Sequence, residues 1–182
     1  MFLCGASFHA APNEMAHTLN FWSISSLSLL NCPNSLGLLE AIIATEQKLK
    51  LKKFEFYIEG GEHFNRSDTE PGIVTGFLNT FKGLEDLYLT LAVYDEESRC
   101  EIDVDWKMVA QGILNHSSTL KQLVLNGPVH DLQRSPGGSR TYNSLVTVLE
   151  STRLECLGMG NYVGFLVRII LSSLIVLYSA RW

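Results

Sequence analysis

One pattern constrains this chain more than anything else in it. The hexad L-x-x-L-x-L occurs as Ile24-Ser-Ser-Leu27-Ser-Leu29, Leu51-Lys-Lys-Phe54-Glu-Phe56, Leu84-Glu-Asp-Leu87-Tyr-Leu89, Leu120-Lys-Gln-Leu123-Val-Leu125 and Leu154-Glu-Cys-Leu157-Gly-Met159. The first positions of these hexads lie 27, 33, 36 and 34 residues apart. Two such matches would be unremarkable in a chain this rich in leucine, but five at comparable spacing form a period. A unit of about 30 residues cannot bury an apolar face alone, whereas stacked units share a continuous core. The period therefore predicts an array of like units, with a generic α/β sheet domain as the alternative.

Helical spacing of apolar residues fills the intervals between the hexads. Leu36, Leu39, Ile42 and Ile43 mark one helix; Ile73, Val74, Phe77, Leu78 and Phe81 mark a second. Trp106, Val109, Ala110, Ile113 and Leu114 mark a third, and Tyr142, Leu145, Val146 and Leu149 a fourth. Pro71 stands where the first turn of a helix tolerates proline. After the first hexad comes Leu30-Asn31-Cys32, with Asn and Cys where leucine-rich repeats turn the chain off the strand. Later units use looser turns, Asn126-Gly127 and Gly158-Met-Gly160. The expected fold is α/β, a leucine-rich-repeat-like solenoid of about five to six irregular strand-helix units with a curved parallel sheet.

Strand alternation assigns a face to each hexad position. The leucines point inward. The intervening residues line the other, concave surface: Ser26 and Ser28; Lys53, Glu55 and Tyr57; Asp86, Tyr88 and Thr90; Gln122, Val124 and Asn126; Cys156 and Gly158. This mixed polar and aromatic face is the candidate partner-binding site, with Lys53, Glu55, Tyr57, Asp86, Tyr88, Thr90, Gln122, Val124 and Asn126 as its residues.

Charge and cysteine usage narrow the function classes. Fourteen Lys and Arg stand against nineteen Asp and Glu, a formal charge of -5, which lacks the basic excess that nucleic acid demands. Cys4, Cys32, Cys100 and Cys156 are scattered with no C-x-x-C pair, so free thiols are expected and neither a disulfide framework nor a zinc site. The N-terminus has no positive n-region before its short apolar run, and no signal peptide is read there. The expected location is cytoplasmic or nuclear.

Each motif that could carry catalysis or hold a ligand falls short of what its chemistry needs. Gly158-Met-Gly160-Asn-Tyr-Val-Gly164 has the glycines of a dinucleotide turn but no acidic residue downstream to hold a ribose. Asp95-Glu-Glu97, Glu101, Asp103 and Asp105 lack the glycine and terminal glutamate of a calcium loop and read as a solvated loop before the Trp106 helix. His9, His17, His63, His116 and His130 show no metal-ligand or triad spacing and read as scattered surface histidines. Lys48-Leu-Lys-Leu-Lys-Lys53 alternates buried leucines with solvated lysines at a strand entry. Asn65-Arg-Ser67 and Asn115-His-Ser117 match the glycosylation triplet, which carries no weight without secretion. The polar stretches 60–70 and 133–140 read as rim insertions. No catalytic residue, cofactor or metal site is expected.

The last segment is nearly all apolar from Val163 to Ala180, interrupted by Arg168 and Ser172-Ser173. One reading makes it a membrane anchor. Apolar residues gain about 0.3–0.6 kcal/mol each on insertion, against a central arginine that costs roughly 2.5–3.5 kcal/mol. The other aligns Ser172-Ser-Leu174-Ile-Val-Leu177 with Ser117-Ser-Thr-Leu120-Lys-Gln-Leu123, a short sixth repeat with a helix over 163–170. Residues 1–23 are then a lead-in or partial cap, 24–160 the array, and 161–182 the apolar close.

Segments such as Leu27-Ser-Leu-Leu-Asn-Cys-Pro-Asn-Ser-Leu36, Phe81-Lys-Gly-Leu-Glu-Asp-Leu-Tyr-Leu89 and Ser118-Thr-Leu-Lys-Gln-Leu-Val-Leu125 resemble the fungal F-box/leucine-rich-repeat proteins over roughly residues 20–160. The resemblance implies repeats that choose a substrate for a ubiquitin ligase. The family's F-box, about 40 helical residues opening on Leu-Pro, has no counterpart before Ile24, so the adaptor-docking role does not transfer. The sequence expectation is a non-catalytic protein-interaction module with a protein partner, and a membrane-anchored protein is the alternative.

Overall fold

Buried leucine and phenylalanine ladders organise the structure, a computed structural model that describes residues 1–9, 11–59, 71–92, 94–95, 100–101, 106–126 and 138–159. In chain order the elements are β1 (Phe2–Cys4), α1 (Pro12–Thr18), a 3-10 turn (Phe21–Ser23), β2 (Ser26–Leu30), α2 (Ser35–Ala44), β3 (Lys53–Glu59), α3 (Pro71–Asn79) and β4 (Asp86–Ala92). There follow β5 (Tyr94–Asp95), β6 (Cys100–Glu101), α4 (Trp106–Leu114), β7 (Gln122–Asn126), α5 (Gly138–Ser151) and β8 (Cys156–Met159). Six strands form one open, wholly parallel sheet in the order β1-β2-β3-β4-β7-β8, with helices in the connections. The fold is α/β.

The sheet is parallel because each strand returns through a helix, and the helices stack in chain order, α1 on α2 through to α4 on α5. Register follows the hexads residue for residue. Leu27 pairs with Phe54, Phe54 with Leu87, Leu87 with Leu123 and Leu123 with Leu157. Two residues on, Leu29, Phe56, Leu89, Leu125 and Met159 form the second ladder. From Leu27 to Leu125 these side chains are all buried, and they share one core with Leu38, Leu39, Val74, Phe77, Leu78, Val109 and Ile113 from the helices. Fully burying a side chain of this size stabilises by about 1.5–3 kcal/mol.

A backbone device repeats at the entries of β3, β4, β7 and β8. The carbonyl of Ser25 accepts from both Lys52 N and Lys53 N, at 2.7 and 3.0 Å. Lys52 O does the same for Glu85 and Asp86, Glu85 O for Lys121 and Gln122, and Lys121 O for Glu155 and Cys156. The second position of each hexad thus grips the second and third positions of the next, which fixes the register before the ladder begins. Strand exit is marked at Asn31, whose φ of 47° turns the chain away from β2 directly after Leu30. Cys32 then drops into the core, its Sγ facing the carbonyls of Leu3 and Leu30 at 3.5 and 3.4 Å.

Several details add to the sequence expectation or differ from it. Residues 1–23 contain a strand and a helix, and Leu3 on β1 pairs with Leu29 at the sheet edge. Part of the stretch read as an acidic loop is the small antiparallel pair β5–β6, in which the backbone of Tyr94 pairs with that of Glu101. Among the residues of α5 whose burial is described, Leu145 and Val148 are buried, Leu149 packs half-buried against the core, and Val146 is half-buried. The apolar segment 161–182 and the rim stretch 60–70 lie outside the described residues, as do positions 133–137 of the second rim stretch. Among the described residues no helix is long and apolar enough to cross a membrane.

Candidate functional site

Opposite the helices, the sheet carries the residues that alternation assigns to its other face. They fall into three rows running across the strands. The first is Ser26, Lys53, Asp86, Gln122 and Cys156. The second is Ser28, Glu55, Tyr88, Val124 and Gly158, continued on β1 by Phe2. The third is Leu30, Tyr57, Thr90 and Asn126, continued on β1 by Cys4. All nine candidate residues therefore lie on one surface of β3, β4 and β7, in a grid of three strands by three rows, and each is half-buried.

Cross-strand contacts hold this grid in place. Tyr88 donates its hydroxyl to Gln122 Oε1 at 2.5 Å, and Lys53 Nζ sits 4.9 Å from the centre of the Tyr88 ring. Ser28 donates to Glu55 Oε2 at 2.9 Å and is itself buried. These contacts restrict side chains that would otherwise lose rotamer freedom on binding. Gly158 has a packing reason: a Cβ there would come within 3.0 Å of a Val124 methyl on the neighbouring strand.

Along the strand entries runs a row of charge that the hexad alone did not announce. Lys52, Glu85, Lys121 and Glu155 occupy equivalent second positions in four successive units. Glu85 Oε1 meets Lys52 Nζ at 2.9 Å and Glu85 Oε2 meets Lys121 Nζ at 2.6 Å. The hydrogen bonds from Lys121 and then Lys52 lower the Glu85 carboxyl from an ordinary 4.5 to about 2, and Lys121 is raised by the same partner. In the lysine-rich entry Lys48, Lys50 and Lys52 are exposed as expected, and some also have partners: Lys50 stands 5.8 Å from the Trp22 ring centre, Lys52 is ion-paired and the half-buried Lys53 lies over Tyr88. The leucines between them, Leu49 and Leu51, are buried as expected.

His116 corrects the expectation of surface histidines. His9 and His17 are exposed, and His63 and His130 lie outside the described residues, but His116 is buried in the turn after α4. It is accommodated because both ring nitrogens have backbone partners, Leu78 O at 2.8 Å from Nε2 and Leu84 N at 3.4 Å from Nδ1. Beside it, Asn115 donates Nδ2 to Leu78 O and Phe81 O, so the amide of this glycosylation triplet is turned inward.

Chemically the face offers hydrogen-bonding groups, two phenol rings and charges of both signs. Among the described residues no group of three or more side chains is placed to hold a metal ion, and Cys4, Cys32 and Cys156 are free thiols. Positions 160–164 of the glycine-bearing stretch after β8 and most of the acidic run lie outside the described residues. No family model, curated protein or solved structure matches this chain.

Proposed function

We propose that this chain is a non-catalytic protein-interaction module of leucine-rich-repeat type, and that its working surface is the three-row face of the sheet. The observation that carries the reading is the register. Equivalent hexad positions from successive units line up into continuous rows, one side sealed by helices and the other presenting Tyr57, Asp86, Tyr88 and Gln122 together. The repeated double hydrogen bond at the entries of β3, β4, β7 and β8 supports a true structural repeat, since the same backbone geometry recurs four times at the same hexad position. On this reading the array is a solenoid whose open face is the concave one, and the repeats correspond to the substrate-choosing part of F-box repeat proteins rather than to the adaptor-docking part.

Tyrosines rank first because large, stiff side chains with a polar tip dominate protein interfaces. Tyr88 is further fixed by Gln122 and Lys53. The test is affinity capture with three forms of the chain: wild type, Tyr57→Ala with Tyr88→Ala, and a helix-side control, Glu40→Ala with Glu150→Ala. Circular dichroism first establishes that each is folded. A partner held by wild type and control, and weakened about tenfold or more by the tyrosine pair, supports the face. Equal capture by all three forms would sink this choice of surface.

A further inference from the structure

The turn Asn115–Thr119 does more than reverse the chain. Its side chains fasten one unit to the one before it. Asn115 Nδ2 reaches Leu78 O and Phe81 O at 3.2 and 3.0 Å, closing the C-terminal end of α3. Thr119 Oγ1 donates to Leu84 O at 2.8 Å, at the approach to β4. His116 stands between them and spans both places, with Leu78 O on Nε2 and Leu84 N on Nδ1. Its ring also packs on Phe81, with centres 5.0 Å apart.

These partners dictate the protonation state. Leu84 N–H is a donor, so Nδ1 must accept; Leu78 O is an acceptor, so Nε2 must carry the hydrogen. Only the neutral Nε2–H tautomer satisfies both. A proton taken from solvent by Nδ1 would set an N–H against the Leu84 N–H inside a buried site, leaving two donors face to face. From this geometry we propose that His116 is a pH-sensitive fastener, and that its protonation releases the α4–β7 unit from the α3–β4 unit.

The surroundings agree. Burial is the main influence disfavouring the imidazolium, the nearby Lys82 adds to it, and the Leu78 carbonyl opposes it; the balance holds the ring below its ordinary 6.5. Lys82, on the segment between α3 and β4, is the charged group that acts on the ring. The other side chains packed or bonded here, from Leu78, Phe81, Leu84, Asn115 and Thr119, carry no charge. Because the closed form excludes the proton and an opened histidine binds it near 6.5, opening is promoted as pH falls below that value. Opening at pH 5 is favoured by at most about 30-fold over opening at pH 7.5.

Amide hydrogen exchange on the full chain reads this directly, since the Leu84 amide is itself the donor to Nδ1. Between pH 7.5 and pH 5 the protection factor at Leu84 is expected to fall by up to about 30-fold, while that at Leu29 in β2 stays constant. His116→Gln, which cannot titrate, is expected to remove the pH dependence at Leu84. Should that variant not fold, the wild-type comparison of Leu84 with Leu29 decides alone, together with imidazole nitrogen NMR at pH 7.5. Protection that falls equally at both amides, or at neither, overturns the proposal. So does a ring carrying its hydrogen on Nδ1.

Discussion

At Glu85 one carboxylate serves two lysines from two different units, and the consequence is a pH dependence with a definite sign. The folded carboxyl titrates near 2 against an ordinary 4.5, so between these values the unfolded chain binds the extra proton. The stabilisation is complete above about 4.5 and is lost as the pH falls toward 2. Glu85→Gln is expected to flatten the decline in urea midpoint between pH 7 and pH 3. The difference from wild type should shrink in 1 M salt, because the pairs are solvent-exposed and screened. Superimposable profiles would remove Glu85 from the account. A neighbouring prediction concerns the aromatic line Phe56–Phe54–Phe77–Phe81, in which successive ring centres lie 5.8, 4.9 and 5.5 Å apart. Phe77 is fully buried between two of them, and Phe77→Ala should cost about 3–5 kcal/mol in denaturant unfolding.

Two glycines in successive helices make opposite predictions at the scale of elements. A Cβ on Gly112 in α4 would lie 3.1 Å from the Leu78 side chain and 3.3 Å from the Thr75 backbone, so α3 and α4 approach closely only because that position is bare. Gly112→Ala is expected to destabilise by about 1–3 kcal/mol despite its gain in helix propensity. In α3 a Cβ on Gly76 would meet only the tip of Ile43 at 3.4 Å, and Gly76→Ala should stabilise by about 0.5–1 kcal/mol. Thermal unfolding of the two variants checks both signs at once. These close approaches were not legible in the sequence, where both glycines sit inside ordinary apolar stripes. The strands were legible, because a hexad fixes spacing and face together: β2, β3, β4, β7 and β8 all begin at its third position. β1 escaped notice because three residues carry no period, and β5–β6 because two-residue strands carry no alternation. His116 escaped because a polar residue after a helix looks solvated until the backbone groups that receive it are in place. The grid of candidate residues followed from alternation alone, while its internal bonds, Tyr88 to Gln122 and Ser28 to Glu55, required the register between units.

For the molecule as a whole, among the described residues each strand of the six-stranded sheet bonds only to the strands that precede and follow it in that sheet, leaving β1 at an edge with one bonded partner. An edge strand held from one side only opens more readily than a strand bonded on both sides. Amides of β3 and β4 should therefore exchange more slowly than those of β1, a gradient that hydrogen exchange resolves strand by strand. Equal protection across them would point to all-or-none unfolding. The strand order has a further meaning for a chain made from its N-terminus. Among the described residues no later strand of the large sheet inserts between two earlier ones, so each of these strands leaving the ribosome finds its docking edge already built. Growth of the structure can keep pace with synthesis, and at any moment the newest strand edge is the one left waiting for its partner.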